Sequence, residues 1–311
     1  MARGEARHET TGKGLREAFV KPARHVSLPS PEVHFGADLF PRLGALRARL
    51  ANARERREGA GRNRFQGVGS EVVGYRPYRP GEDPRLLDWN LLARFERPFV
   101  RVTAREASEH WALVLDASAS MGVGPPGKLQ RAAEVALAVG ALAVAGAGAR
   151  ADATLFLADG TEGPRLRRVA DLRAWAGFLE GTRAAGTAGL ASFAASRAHR
   201  LRCGRLFLLG DFLDLAHEEL DAFVRRGREL FCLRLLAPQE IHPVAGAVRF
   251  ADAETGERRA VEVTPAACGT YERRLTRANE RWSAVAERRR ARFLTRSSAV
   301  PFEAVVQDLL G

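Results

Sequence analysis

Lysine is nearly missing from this chain of 311 residues: only Lys13, Lys21 and Lys128 stand among 49 basic side chains, so 46 are arginine. Cysteine is as scarce. Cys203, Cys232 and Cys268 are odd in number, far apart and in no C-x-x-C pair. That excludes a disulfide framework or a thiolate zinc site and leaves reduced cytosolic thiols as the default. Long apolar runs are lacking too. The longest, Val135 to Ala149, is short and holds three glycines, the composition of a buried helix rather than a membrane span. The first thirty residues carry charges throughout and no apolar h-region, so no secretory leader is expected and the chain reads as cytoplasmic. Its histidines (His8, His25, His34, His110, His199, His217 and His242) show no H-x-x-x-H spacing. No serine stands in a G-x-S-x-G elbow, which removes the commonest acyl-transfer signature.

What is present is charge and a globular core. The balance of 49 basic against 37 acidic residues gives +12, and 46% of the residues are hydrophobic. Such a charge suits a nucleic-acid or acidic-protein partner. Arginine-rich stretches at 42–64 and 273–292 offer phosphate contacts. No zinc finger, RNP aromatic set or helix-turn-helix accompanies them, so a solvated basic surface is the plainer account, and nucleic-acid binding stands as the rival reading.

Organisation follows periodicity. Residues 1–35 are polar and read as a mobile arm. In residues 36–107 a helix over 39–58 is marked by Leu43, Leu46 and Leu50. Loops and short strands rich in glycine, proline and aromatics follow it. From 108 to 311, strand and helix patterns alternate. Strands are expected at 111–116, 151–157, 205–209, 229–235 and 291–296. A return strand at 165–170 would pair with the second of these. Helices are expected at 129–145, 171–180 (opened by Asp171 as N-cap), 190–200, 217–226, along the face of Tyr271, Leu275, Ala278, Trp282 and Val285, and from Pro301 to Leu310. A hairpin at 247–263 interrupts the series. This alternation predicts an α/β fold with a mainly parallel, doubly wound sheet and helices on both faces.

The richest chemistry lies at Leu113, Val114, Leu115, Asp116, Ala117, Ser118, Ala119, Ser120 and Met121. An apolar strand runs into an aspartate, and hydroxyls follow at alternate positions. Open parallel sheets bind ligands at the carboxyl ends of their strands, where Asp116 and Asp211 both fall. Asp116, Ser118 and Ser120 put three oxygens in one loop, and Thr187, before a helix, would complete the set, with Thr182 nearby as the alternative. Oxygen-only donors suit Mg²⁺, and Mn²⁺ or Ca²⁺ would also accept them. Two carboxylates roughly neutralise a divalent ion, and an open position would accept a glutamate or aspartate from a partner protein. The plainer account of an Asp followed by Ser is a helix N-cap.

These residues support a resemblance. Asp116, Ser118, Ser120 and Met121 are similar to the metal-ion-dependent adhesion site of von Willebrand factor type A domains. Upstream, Arg76, Tyr78, Gly81, Glu82, Asp83, Arg85, Leu87, Asp88 and Trp89, followed by Arg94, resemble the hallmark R-x-Y-x-x-G-D-D-x-R-x-I-D-W of the domain-of-unknown-function family DUF58. Glu82 stands where Asp is common, Val72 where Phe is, and Tyr75 and Leu87 where Leu and Ile are. The resemblance implies a von Willebrand A-like fold with Asp116, Ser118, Ser120, Thr187 and Asp211 as the adhesion-site ligands. It also implies a MoxR-type AAA+ ATPase as the protein it helps in assembling or activating others. Many relatives carry two membrane helices ahead of this region. None is found here, so no membrane attachment is expected. The hallmark itself reads as a brace of ion pairs and aromatics against the main domain, or else as a partner-docking surface.

Two enzyme readings are weaker. Gly122 to Lys128 fits G-x-x-x-x-G-K, but Leu129 replaces the magnesium-binding hydroxyl, and Pro125 and Pro126 lack the N–H groups that cradle phosphate. The segment reads as a turn into the next helix. A phosphohydrolase using Asp116 as nucleophile would need a second carboxylate where Ser118 stands. The protein is therefore expected to bind rather than catalyse.

Overall fold

The computed structural model describes residues 32–58, 66–78, 87–104, 110–145, 151–255 and 257–310. Residues 1–31 of the arm expected at 1–35 and the hallmark positions Gly81, Glu82, Asp83 and Arg85 lie outside the described residues. The rest of the expected arm is held against the sheet domain, with Val33 buried and its amide donating to the Thr182 carbonyl at 2.9 Å.

Five strands form the central sheet: β3 (His110–Leu115), β4 (Asp152–Leu157), β5 (Arg205–Gly210), β6 (Glu229–Leu236) and β9 (Ala291–Ser297). They lie in the order β4-β3-β5-β6-β9, and every pair is parallel. The chain moves outward from β3 to β4, then crosses back to β5 on the other side of β3. The switch point of the sheet therefore lies between β3 and β5. Continuous apolar runs suit strands covered on both faces, and the interiors of β3 and β5 are almost wholly buried.

Alternate side chains enter two cores. Leu113, Leu115, Phe207, Leu209, Leu233 and Leu235 face α3 (Lys128–Ala145), α4 (Leu172–Leu179) and α8 (Phe302–Leu310). Ala112, Val114, Leu206, Leu208 and Cys232 face α5 (Leu190–Ser196) and the second half of α7 (Pro265–Arg288). The fold is thus a mainly parallel α/β sheet flanked by helices, as the alternation predicts. The expected helix α1 (Leu39–Glu58) forms, and its Leu39, Leu43 and Leu46 stripe packs into the α3 core. Arg42 secures it, its Nε and Nη2 donating to Glu303 at 2.6 and 2.9 Å in α8.

Some local expectations are corrected. Residues 165–170 do not make a strand: they meet β4 through the isolated bridge Ala153–Leu166 and the Arg165–Asp152 ion pair, and a second isolated bridge, Phe156–Glu162, lies in the turn before them. Asp171 does not cap α4, because its Oδ2 accepts from the backbone of Arg167 and Arg168 behind it. The 190–200 and 217–226 segments tighten into 3₁₀ turns over 198–200 and 218–223. The 66–104 stretch is more regular than expected. It contains β1 (Gln66–Pro77), antiparallel to β2 (Phe99–Ala104), with α2 (Trp89–Phe95) between them. The hairpin is present as β7 (Gly246–Ala251) and β8 (Arg258–Val263).

Gly140 on α3 shows how tightly the first core is filled. A Cβ there would lie 2.4 Å from Trp175 Cζ3 and 3.0 Å from Leu166 Cδ2. Trp175 is fully buried, and its Nε1 donates to the Pro164 carbonyl at 2.6 Å, so the ring has little room to yield. Gly140→Ala gains about 1 kcal/mol of helix propensity but overpacks the core at a cost of ~1–3 kcal/mol. A net loss of about 1 kcal/mol is expected in urea melts; a more stable variant would show that the contact relaxes freely.

Candidate metal centre

The carboxyl ends of β3 and β5 set the site. The Asp116 amide donates to the Leu209 carbonyl at 2.8 Å, so the residue after β3 is stitched to β5. Asp116 and Asp211 are both buried. The β3 loop folds as a 3₁₀ turn over Ala119–Gly122, anchored by the buried Met121 side chain. The Ser118 amide donates to Asp116 Oδ1 at 2.9 Å. This is a local turn bond and uses one oxygen; the N-cap of the 3₁₀ turn is Ser118, and no side chain caps it. The Ser118 and Ser120 hydroxyls lie 3.2 Å apart, and Ser120 Oγ donates to Asp211 Oδ2 at 2.7 Å. Four of the five expected ligands, Asp116, Ser118, Ser120 and Asp211, are thus brought together across the switch point.

The fifth is adjacent by backbone. Ala185 and Ala119 amides donate to the carbonyls of Ala117 and Gly186, each at 2.9 Å, tying the 185–187 loop to the Asp116 loop. Thr187, next in that loop, is exposed. The alternative, Thr182, is committed elsewhere: its hydroxyl donates to the Phe178 carbonyl at the end of α4.

Asp116 Oδ2 has no hydrogen-bond partner among the described residues although the side chain is fully buried. Burying a carboxylate oxygen without a partner costs a few kcal/mol or more. Burial, and then the Asp211 carboxylate, push the Asp116 carboxyl up to about 7. Asp214 adds a third acid nearby. Burial raises its carboxyl as well, while its Oδ2 accepts from the Ala191 amide at 2.9 Å at the start of α5. Gly210 leaves space beside Asp116: a Cβ there would lie 3.0 Å from Oδ2. An unpartnered anionic oxygen, two hydroxyls and a gap that any side chain would fill fit a hard cation. Among the described residues no group of three or more histidine, cysteine, aspartate or glutamate side chains is placed to hold a metal; the donor set here is two carboxylates with hydroxyls.

Three site residues escape sequence reasoning. Lys128, the lysine of the G-x-x-x-x-G-K run, is fully buried, and its Nζ donates to Asp211 Oδ2 at 2.9 Å and Glu240 Oε1 at 2.8 Å. Arg234 on β6 lies beneath, with Nε donating to the Asp211 carbonyl at 3.0 Å and Nη1 to Asn279 Oδ1 on α7. Lys128 had a legible signal, since a lysine in the first turn of a helix opposes the helix dipole and needs a dedicated partner. Glu240 and Arg234 had none, because only the crossing of β6 beside β5 brings them in. A left-handed backbone at Phe212 (φ 58°) turns the chain away just after Asp211. Such strain in an aromatic residue marks sites held by their surroundings.

Aromatic side chains in the hallmark region stand outward. Trp89 is 61% exposed, and Tyr75 and Phe95 are exposed as well. The reason is local. Asp88 is buried and caps α2, its Oδ1 accepting from Asn90 and Leu91 amides at 3.0 and 3.1 Å, which turns the Trp89 ring outward. Arg94, on the same short helix, is exposed, and Tyr78 is half-buried.

The family model described as "Protein of unknown function DUF58" matches residues 74–281. An uncharacterized protein of Mycobacterium bovis and uncharacterized proteins of two Mycobacterium tuberculosis strains are each 32% identical to the chain over 219 residues, which cover 64% of it. The match spans 66% of the length of these relatives. No solved structure matches the chain.

Proposed function

The chain belongs to the DUF58 family, and from that premise we propose that it is a non-enzymatic, cation-dependent protein-binding module of the von Willebrand factor A type. The observation that carries the reading is Asp116 Oδ2, a buried anionic oxygen that nothing in the described fold satisfies. Asp116, Ser118, Ser120 and Asp211 would hold Mg²⁺, with Thr187 from the adjoining loop, and Mn²⁺ or Ca²⁺ would be accepted by the same oxygens. When bound, the ion supplies a Lewis-acidic point that accepts one more anionic oxygen. The residues of this chain do the rest. Ser118 and its amide orient Asp116, and Ser120 aligns Asp211 with the serine pair. The rigid ends of β3 and β5 keep the set in place for a partner's glutamate or aspartate.

We further propose that the partner is a protein, with a MoxR-type AAA+ ATPase as the helper relationship, acting in the cytoplasm. No described helix is long and apolar enough to cross a membrane. The outward Trp89, Tyr75 and Arg94 carry the residue types that anchor protein interfaces, which favours docking over bracing as the work of the hallmark region.

Asp116→Ala is expected to abolish Mg²⁺-dependent capture of the partner ATPase while leaving the circular dichroism of the fold intact. Equal capture with and without chelator, in the wild type, would overturn the proposal. The rival reading, nucleic-acid binding driven by the net charge of +12, would show instead as retention on a nucleic-acid column that falls steeply with salt.

A further inference from the structure

Lys128 is the one lysine among the described residues, in a chain that uses arginine for nearly all its positive charge. It occupies the first position of α3 and is fully buried. A buried ammonium is costly unless it is paired and hydrogen-bonded, and this one is shared by two carboxylates, Asp211 and Glu240. Lysine offers a compact point charge, where arginine's planar fork would demand a wider cavity.

The two aspartates of the site are therefore not equivalent. Asp211 is saturated by the protein itself: Oδ2 accepts from Lys128 Nζ and Ser120 Oγ, and Oδ1 from the Leu213 amide at 3.2 Å. Asp116 has one oxygen used and one open. Glu240 is placed to take a larger share of the ammonium. It is partly exposed, its Oε2 is held by the Ala237 amide at 2.6 Å, and its Oε1 faces Lys128.

Resting on the metal-binding reading above, we infer that Lys128 is a built-in counter-ion of the site, holding Asp211 in place when the cation is absent and competing with the cation for that carboxylate. Affinity for the bare ion is thereby held low. The arrangement favours occupancy when a partner's carboxylate arrives as a further ligand, so that cation and partner bind together.

The test uses the full chain and the metals alone. Mg²⁺ and Mn²⁺ are titrated calorimetrically into wild type, Lys128→Met and Glu240→Gln, and thermal melts are recorded with and without cation. Lys128→Met, of similar length and no charge, is expected to lower the Tm of the cation-free protein. It should raise cation affinity roughly tenfold or more, so that added Mg²⁺ lifts its Tm further than that of wild type. Glu240→Gln leaves the whole ammonium to Asp211 and is expected to shift affinity the other way; being partly exposed, this position also gives a folded variant if Lys128→Met does not fold. Lys128→Met combined with Asp116→Ala should lose the gained affinity. Equal affinities in wild type, Lys128→Met and Glu240→Gln would overturn the counter-ion role while leaving the metal reading standing. No cation binding in any of them would overturn both.

Discussion

Asp116→Asn is expected to make the cation-free protein more stable at pH 8 and, at the same time, unresponsive to Mg²⁺. The amide keeps an oxygen for the Ser118 N–H, which now holds Asp116 Oδ1. It removes an anion that burial and Asp211 oppose. With the native pKa raised from 3.8 to about 7, the carboxyl holds its proton more tightly in the fold than in the unfolded chain. The ionisation penalty is therefore absent below about 4 and complete above about 7. Cation-free wild type should lose stability as pH rises across that window, while the Asn variant should not. At ~1.4 kcal/mol per unit, and allowing for water entering the site, the gain at pH 8 is about 2–4 kcal/mol. Urea melts in chelator at pH 4.5 and pH 8 measure it. A variant no more stable than wild type at pH 8 would mean that the carboxylate is compensated after all. With Mg²⁺ present the order should reverse, because only the aspartate gains from the ion. A residue that weakens the empty fold and is retained for its ligand is the usual exchange of stability for function.

How much of this could be read before the fold was known differs by element. The strands β3 and β5 were legible because each is a nearly unbroken apolar run, the pattern of a strand covered on both faces. The strand β6 carries Arg234 within its run, and β9 mixes Phe293 and Leu294 with Arg292, Thr295 and Arg296 and is only partly buried. The helix α3 was legible through its length. From these alone, Asp116 and Asp211 fall at strand ends, and the switch between β3 and β5 explains why ends 95 residues apart in sequence adjoin. The short elements were not legible. Residues 218–223 carry helix-forming side chains but wind as a 3₁₀ turn, since the local hydrogen bonds close one residue sooner. Asp171 precedes a helix as a cap should, yet its carboxylate turns back to two earlier amides, a competition inherent to short polar side chains. In α2 the opposite holds: Asp88 followed by Trp89, Asn90, Leu91 and Leu92 was a readable cap and helix start, hidden among glycines and prolines. Lys128 sat in a motif that invited a nucleotide claim. The missing hydroxyl at Leu129 argues against that claim but leaves the lysine's own need for a partner unaddressed.

Gly210→Ala should weaken cation binding more than any change at an exposed ligand. Its Cβ would stand 2.8 Å from Asp116 Cβ, 3.0 Å from Asp116 Oδ2 and 3.2 Å from Leu190 Cδ1. The first of these is not the free end of a side chain that can swing away. Asp116 is held at its own backbone by Leu209, and β3 pairs with β5 up to Leu115 and Leu209. Relief must therefore come from separating the strand ends or turning the carboxylate, and either displaces the oxygen that the ion requires. Overpacking of this kind costs about 1–3 kcal/mol of stability, and misplacing a ligand is expected to weaken Mn²⁺ or Mg²⁺ binding roughly a hundredfold, as disruptions around metal ligands do. Gly177→Ala serves as the control, because a Cβ there meets nothing within 4 Å and lies on α4. It should hold or raise the Tm and leave cation binding unchanged. Should Gly210→Ala bind the cation as wild type does, the space beside Asp116 Oδ2 is not where the ion sits, and the two carboxylates at the switch point serve some other end.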